Sequence, residues 1–270
     1  NLEWQRTVDK NIGVDLSVLN NRIRVTFDYY FKDTDPLLVS IGMPPSAAAT
    51  SLYTNMGRQI SRGWTGTLNY VFLRKKDLSC SVNMNARANH SEYRDIGDKL
   101  DYLNKVGSST ALNRYYEGGS PDDLWAVPSL GIDPATGQEM FLTKDGRSTY
   151  TWSSADQVVI GDTSPKMSGT LNLNAGYKGF TFSASCSYKF GGDLYNSELV
   201  ARMENINGQS NLDRRLFNAW QKVGDVAPYK VTVISSGSTN YTKPTSRFVQ
   251  KNNELYISSV NVGYDFAGAA

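Results

Sequence analysis

Between Thr170 and Phe190 apolar residues fall on every second position, twice over. Leu171, Leu173, Ala175 and Tyr177 alternate with Asn172, Asn174 and Gly176. Phe180, Phe182, Ala184, Cys186, Tyr188 and Phe190 then alternate with Thr181, Ser183, Ser185, Ser187 and Lys189. A period of two places one set of side chains on each face of a strand. The break is Lys178-Gly179, the length of a tight hairpin turn, with glycine to supply positive φ. With these two residues as the turn, Tyr177 opposes Phe180, Ala175 opposes Phe182, Leu173 opposes Ala184 and Leu171 opposes Cys186. Asn174 then meets Ser183, and Asn172 meets Ser185. A slip by one residue would move every apolar side chain to the wrong face, so this register is strongly specified.

The other face is unusual. A soluble sandwich hides its apolar face and charges its outer one, whereas here the polar face is Asn, Ser, Thr and Gly with few charges. The apolar face carries aromatics at both ends, Tyr177 and Phe180 by the turn and Tyr188 and Phe190 away from it. Strands of about ten residues, tilted about 45°, cross the apolar band of an outer membrane, with aromatic girdles at its interfaces and a polar lumen.

The same design recurs. Ile12, Val14, Leu16 and Val18 lead to Asn20-Asn21, and Ile23, Val25, Phe27, Tyr29 and Phe31 return; Asn tolerates the left-handed backbone of the turn. A third hairpin has Trp64, Gly66, Leu68, Tyr70 and Phe72 on one face, a basic turn over Leu73 to Asp77, and Leu78, Cys80, Val82, Met84, Ala86 and Ala88 coming back. A last strand carries Val260, Val262, Tyr264 and Phe266. Between hairpins the alternation stops: residues 33–58 contain Pro36, Pro44 and Pro45, residues 90–168 are rich in Tyr, Trp, Asp and Gly, and residues 192–246 contain a helical stripe of Leu212, Leu216, Trp220 and Val223 with Asn211 as its cap. Short turns and long loops therefore alternate strictly, all turns at one end of the sheet and all loops at the other, the asymmetry of an outer-membrane barrel. The expected fold is all-β, an antiparallel transmembrane β-barrel portion of about seven strands belonging to a larger barrel, with long extracellular loops.

Composition excludes several alternatives. Lys and Arg number 28 against 26 Asp and Glu, too balanced to point to nucleic acid by charge. Sixteen Tyr, 23 Gly and a mean hydropathy of −0.42 suit a β-rich chain with polar loops. The only histidine, His90, rules out a site built on several His ligands. Cys80 and Cys186 fall on apolar-face positions and read as small buried hydrophobes, not as a disulfide or metal pair. No nucleophile elbow, phosphate loop, zinc-protease motif or paired-cysteine motif is present. Asp122 and Asp123 are adjacent carboxylates in a loop, expected to be solvated or to cap a turn, and Asp133-Pro134-Ala135-Thr136-Gly137 has turn composition without the acidic spacing of a calcium loop. No enzyme activity, cofactor or metal is expected.

Four stretches carry a specific likeness. DDLWAVPSLGIDPATGQEMF (Asp122 to Phe141), QVVIGDTSPK (Gln157 to Lys166), GYKGFTFSASCSYKFGGDLYN (Gly176 to Asn196) and TSRFVQKNNELYISSVNVGYDF (Thr245 to Phe266) resemble the C-terminal half of SusC/RagA-type TonB-dependent transporters. Asn55-Met56-Gly57 with Gly63-Trp64, and Trp220 with Gly224-Asp225 and Pro228-Tyr229, look like markers of the same family. The resemblance implies a barrel of about 22 strands around a plug. It also implies nutrient import across the outer membrane of Bacteroidetes, powered through TonB, under a SusD-like surface lipoprotein, with oligosaccharides or peptides as substrates. The first residues, NLEWQRTVDK, lack the pattern of a signal peptide, and the expectation is that signal sequence, plug and closing strands are absent from this chain. A ligand is expected at the loop aromatics Tyr115, Tyr116, Trp125, Trp152 and Trp220, whose flat faces and polar edges suit stacking, although the same side chains would also fold the loops together. The competing class is a non-transporting surface β-protein, an adhesin or glycan-binding module, in which a second protein layer would cover Val25, Leu68, Leu171 and Phe182.

Overall fold

A computed structural model describes residues 2–42, 51–55, 57–97, 104, 112–206, 211–232 and 241–266. Pro44, Pro45 and Met56 lie outside the described residues. Seven strands, β1 (Arg6–Val18), β2 (Ile23–Asp35), β5 (Arg58–Arg74), β6 (Leu78–Arg94), β12 (Met167–Tyr177), β13 (Phe180–Tyr195) and β14 (Val249–Tyr264), form one antiparallel sheet in chain order.

The hairpin registers follow from the alternation. Across Lys178-Gly179 the pairs run from Tyr177 with Phe180 to Leu171 with Cys186, and on to Met167 with Phe190. Lys178 at φ 45° and Gly179 at φ 86° give the left-handed pair that matches strand twist. Val18 pairs with Ile23 and Ile12 with Tyr29, as the Asn20-Asn21 turn requires. The basic turn is shorter than its sequence suggests: β5 continues to Arg74, Leu73 pairs with Cys80, and Phe72 is the extra residue of a bulge. The final strand is far longer than the Val260 to Phe266 pattern indicates, and Phe266 lies beyond its end. A second bulge explains why. Ser185 pairs with Ser259 but Cys186 with Ile257, so Ser258 is looped out and the apolar parity changes from Val260, Val262 and Tyr264 to Leu255 and Ile257.

The sheet does not contain the core. Its apolar face is open: Val14 is 53% exposed, Leu173 41% and Phe182 41%. No second layer of this chain covers it among the described residues. Cys80 and Cys186 are free and half-exposed on this face, not buried as expected. On the polar face a hydrogen-bonded belt crosses four strands: Asn83 donates to Asn69, Asn172 to Asn83 at 3.4 Å, and Ser185 to Asn172 at 2.6 Å. Of the 13 hydrophobic residues buried among the described ones, only Tyr93 and Tyr188 belong to the seven strands.

The rest of the core sits between strands. β3 (Leu38–Gly42) pairs with β4 (Ser51–Asn55) between β2 and β5. Between β6 and β12, β7 (Asp123–Ala126) pairs with β11 (Val158–Asp162), and β8 (Ser129–Ile132), β9 (Glu139–Leu142) and β10 (Ser148–Thr149) form a three-stranded sheet. Between β13 and β14, helix α1 (Ser197–Met203) is capped by Asn196, whose side chain accepts from the Leu199 amide, and it buries Leu199, Val200 and Met203 against Phe248. The helix expected behind Asn211 is a five-residue 3-10 turn, Arg214–Asn218, capped by Asp213. Arg215 takes the Asp213 carboxylate in a two-pronged pair and holds its pKa at about 2. Leu212 and Val223 stay exposed, so the stripe has no helix to align it.

Candidate functional site: a cavity between two loops

One guanidinium lies at the centre of the contact between the loops 95–166 and 196–248. Arg247 donates through Nε and Nη2 to Glu139 of β9, both at 2.8 Å, and through Nη2 to Glu204, the residue after α1, at 2.7 and 2.9 Å. Thr245 donates to Glu139 at 2.7 Å and Thr242 to Glu204 at 2.7 Å. The Glu204 side chain is fully buried and that of Glu139 is 4% exposed. Burial alone would push the Glu139 carboxyl up, but Arg247, Thr245 and Ser129 outweigh it and hold the group below the ordinary carboxylate range. The same two carboxylates hold Arg247 above its usual value against the opposing effect of burial.

Above this network lies a cavity of about 490 Å³, lined by Phe141, Tyr150, Trp152, Lys230, Tyr241 and Lys243 among others. Its walls come from both loops. The Trp152 indole N–H donates to the Pro244 carbonyl at 3.0 Å, and the Lys243 ammonium sits 4.7 Å from the Trp152 ring centre. Tyr150 donates to Asp133 at 2.7 Å, and Asp133 also accepts from the Ala135 amide and Thr136 hydroxyl, so the DPATG stretch is a closed turn. Trp220 backs the cavity, its N–H on the Pro134 carbonyl at 2.9 Å and its ring against Gly137. A Cβ at Gly137 would stand 2.5 Å from that ring, and its φ of 70° is left-handed, so glycine is required twice over.

The five aromatics are not gathered in one place. Trp152 lines the cavity, and Trp220 stands behind Gly137. Tyr116 and Trp125 make an edge-to-face pair at 5.0 Å, and Tyr116 donates to Asp123 at 3.1 Å. Tyr115 packs on Tyr93 at 5.6 Å, its backbone held by Asn104. Asp123 accepts from the Ser120 amide at 2.9 Å and so caps a turn, while burial, then Asp162 and Asp123, push the Asp122 carboxyl up. His90 lies opposite Arg62 on the apolar-face parity of β6. Among the described residues, no group of three or more His, Cys, Asp or Glu is placed to hold a metal ion, and no helix is long and apolar enough to cross a membrane. Sequence reasoning missed Glu139, Glu204, Lys230, Lys243 and Arg247; Glu139 and Arg247 are 108 residues apart, and no periodicity links them.

No family model matches the chain. It is 24% identical over 98% of its length to TonB-dependent receptor P3 of Formosa agariphila and 24% identical over 98% to TonB-dependent receptor SusC of Bacteroides thetaiotaomicron. Among solved structures, the RagAB peptide transporter superposes with a TM-score of 0.77 at 22% identity, over 97% of this chain and 29% of that one. The chain resembles SusC/RagA-type TonB-dependent transporters in sequence and in fold. Its seven-strand sheet has the fold of part of a TonB-dependent β-barrel, with the apolar face open. The chain spans 27% of P3 and 26% of SusC. These relatives are receptors and transporters by name, not enzymes.

Proposed function

We propose that the chain forms a seven-strand arc of the wall, with its loops, of a TonB-dependent importer that takes oligosaccharides or peptides across the outer membrane under a SusD-like surface lipoprotein. In this reading residues 1–270 belong to one barrel domain, the short turns are periplasmic and the long loops extracellular. The observation that carries it is the seven-strand meander whose apolar face is bare and whose folded loops all leave from one end. A surface adhesin or glycan-binding module would need a second layer over Val25, Leu68, Leu171 and Phe182. Of the five expected aromatics Trp152 is the one that lines the cavity, and we assign it to ligand contact, with Tyr115, Tyr116, Trp125 and Trp220 holding the loops in shape. The test is to isolate the intact parent protein from detergent-solubilised outer membranes. The expected result is a barrel that co-purifies with a lipoprotein and supports nutrient uptake only in TonB-competent cells. A water-soluble monomer of 29.9 kDa would overturn the reading.

A further inference from the structure

The cavity's own chemistry narrows its ligand. Three of its four floor carboxylate oxygens are already saturated. Glu139 Oε1 accepts from Arg247 and Thr245, Glu204 Oε1 from Arg247 and the Lys230 amide, and Glu204 Oε2 from Arg247 and Thr242. A carboxylate oxygen has two lone-pair sites, so an incoming cation or hydroxyl finds little acceptor capacity on these three oxygens. The ammonium groups stand differently. Lys230 Nζ is 3.9 Å from Glu204 Oε2, beyond hydrogen-bond reach, and among the described residues no carboxylate pairs with Lys243, which rests on the Trp152 ring. Two lysines and two glutamates line the cavity, but Arg247 beneath it already occupies both glutamates, so the two ammonium groups are the charges the lining leaves without a hydrogen-bonded carboxylate among the described residues. Two ammonium groups with no hydrogen-bonded carboxylate among the described residues, beside the rings of Trp152, Tyr150 and Phe141, describe a receptor for an anion that carries an apolar flank.

We propose that this cavity binds a carboxylate-bearing ligand, its carboxylate between Lys230 and Lys243 and its apolar flank against the aromatic wall. The assignment rests on the reading of the loops as the ligand-gathering side of an importer. Two sources share this chemistry, a uronic acid residue of an oligosaccharide and an acidic residue or free C-terminus of a peptide. Lys243 is exposed and the Lys230 side chain is 25% exposed, so Lys→Gln replacements leave the fold intact and remove the charge, in Lys243 together with its contact to the Trp152 face.

The experiment titrates the intact parent protein, purified in detergent, with a trigalacturonate, an acidic tripeptide and neutral maltotriose, following heat and tryptophan fluorescence. At least one carboxylated probe binds, maltotriose does not, and Lys230→Gln and Lys243→Gln each weaken binding about tenfold, the size of one charge-assisted hydrogen bond. The probe that binds identifies the source. Trp152→Phe shifts the fluorescence response and weakens binding less than either lysine change. Equal binding of maltotriose, carboxylate binding indifferent to both lysines, or no binding of any probe would each overturn the assignment. In any of those cases a parent protein that still co-purifies with its lipoprotein keeps the import reading, whereas loss of that partnership with carboxylate binding intact strikes the import reading alone.

Discussion

The sheet and the loops of this chain solve opposite problems. In the sheet, Val14, Leu173, Phe182 and Val262 are left open, and order comes from backbone pairing and a period of two. In the loops, Ile96, Val127, Met203 and Phe248 are buried almost completely, and order comes from small cores and one buried ion network. In the proposed barrel a wall facing lipid gains nothing from hiding its apolar side chains, while loops facing water must build an interior as any soluble domain does. One chain thus follows two solvents' rules, and each substitution acts according to the solvent it meets.

The sharpest way to break the comparison is through Arg247. Arg247→Met leaves Glu139 and Glu204 buried without their cation, and removing one partner of a buried ion pair costs about 3–5 kcal/mol. The contact between the loops 95–166 and 196–248 loosens while the strands stay paired, which limited proteolysis reads as new cuts confined to the loops of a barrel that still migrates as folded in heat-modifiability gels. If the barrel unfolds with them, the two regions are one cooperative unit.

A smaller effect separates the two faces of one strand. Leu171→Arg puts a charge on the lipid face, where it costs about 2–4 kcal/mol near the bilayer midplane, and Asn172→Arg, its neighbour on the wet face, costs far less. Denaturant titration in lipid vesicles compares them directly, and equal losses would mean that the polar face is not wet. Smaller again is Gly179→Ala, which places a Cβ at φ 86° and 3.0 Å from the Asp265 carbonyl, for about 1–2 kcal/mol by the same titration.

The contrast also explains what could be read from the residues alone. Both two-residue turns and the pairing around them were legible because alternation over about ten residues has a single register that keeps apolar with apolar. The first half of β14 was hidden because the bulge at Ser258 reverses parity, and a pattern search sees two short runs where there is one strand. In the loops the strands Asp123–Ala126 and Glu139–Leu142 do alternate in burial, but over four residues, too few to stand out. Helix α1 has seven residues, short of two full turns. Of the cavity, Trp152 was legible as a loop aromatic, while Arg247 with its two glutamates and the flanking lysines was not, because long-range charge pairing leaves no local signature.

Acid should divide the loops themselves. Glu139 titrates below its ordinary 4.5 in the folded state, so its contribution is complete above the unfolded value and is lost as pH falls through the lowered one. Asp122 has the opposite sign: its pKa is raised above 3.8 by burial first and then by Asp162 and Asp123, so the folded state takes up its proton earlier than the unfolded chain and gains stability as pH falls through that range. Hydrogen exchange followed from neutral pH to well below 4.5, corrected for intrinsic rates, should therefore show residues 241–248 loosening towards the acid end and residues 120–126 holding or tightening, with β12 and β13 unchanged because their pairing involves no buried carboxylate. Glu139→Gln removes the first response and leaves the second. If both segments loosen together with the strands, the small cores around Phe248 and Leu124 are not independent of the wall that carries them, and the division into two solvents would give way to a single cooperative structure.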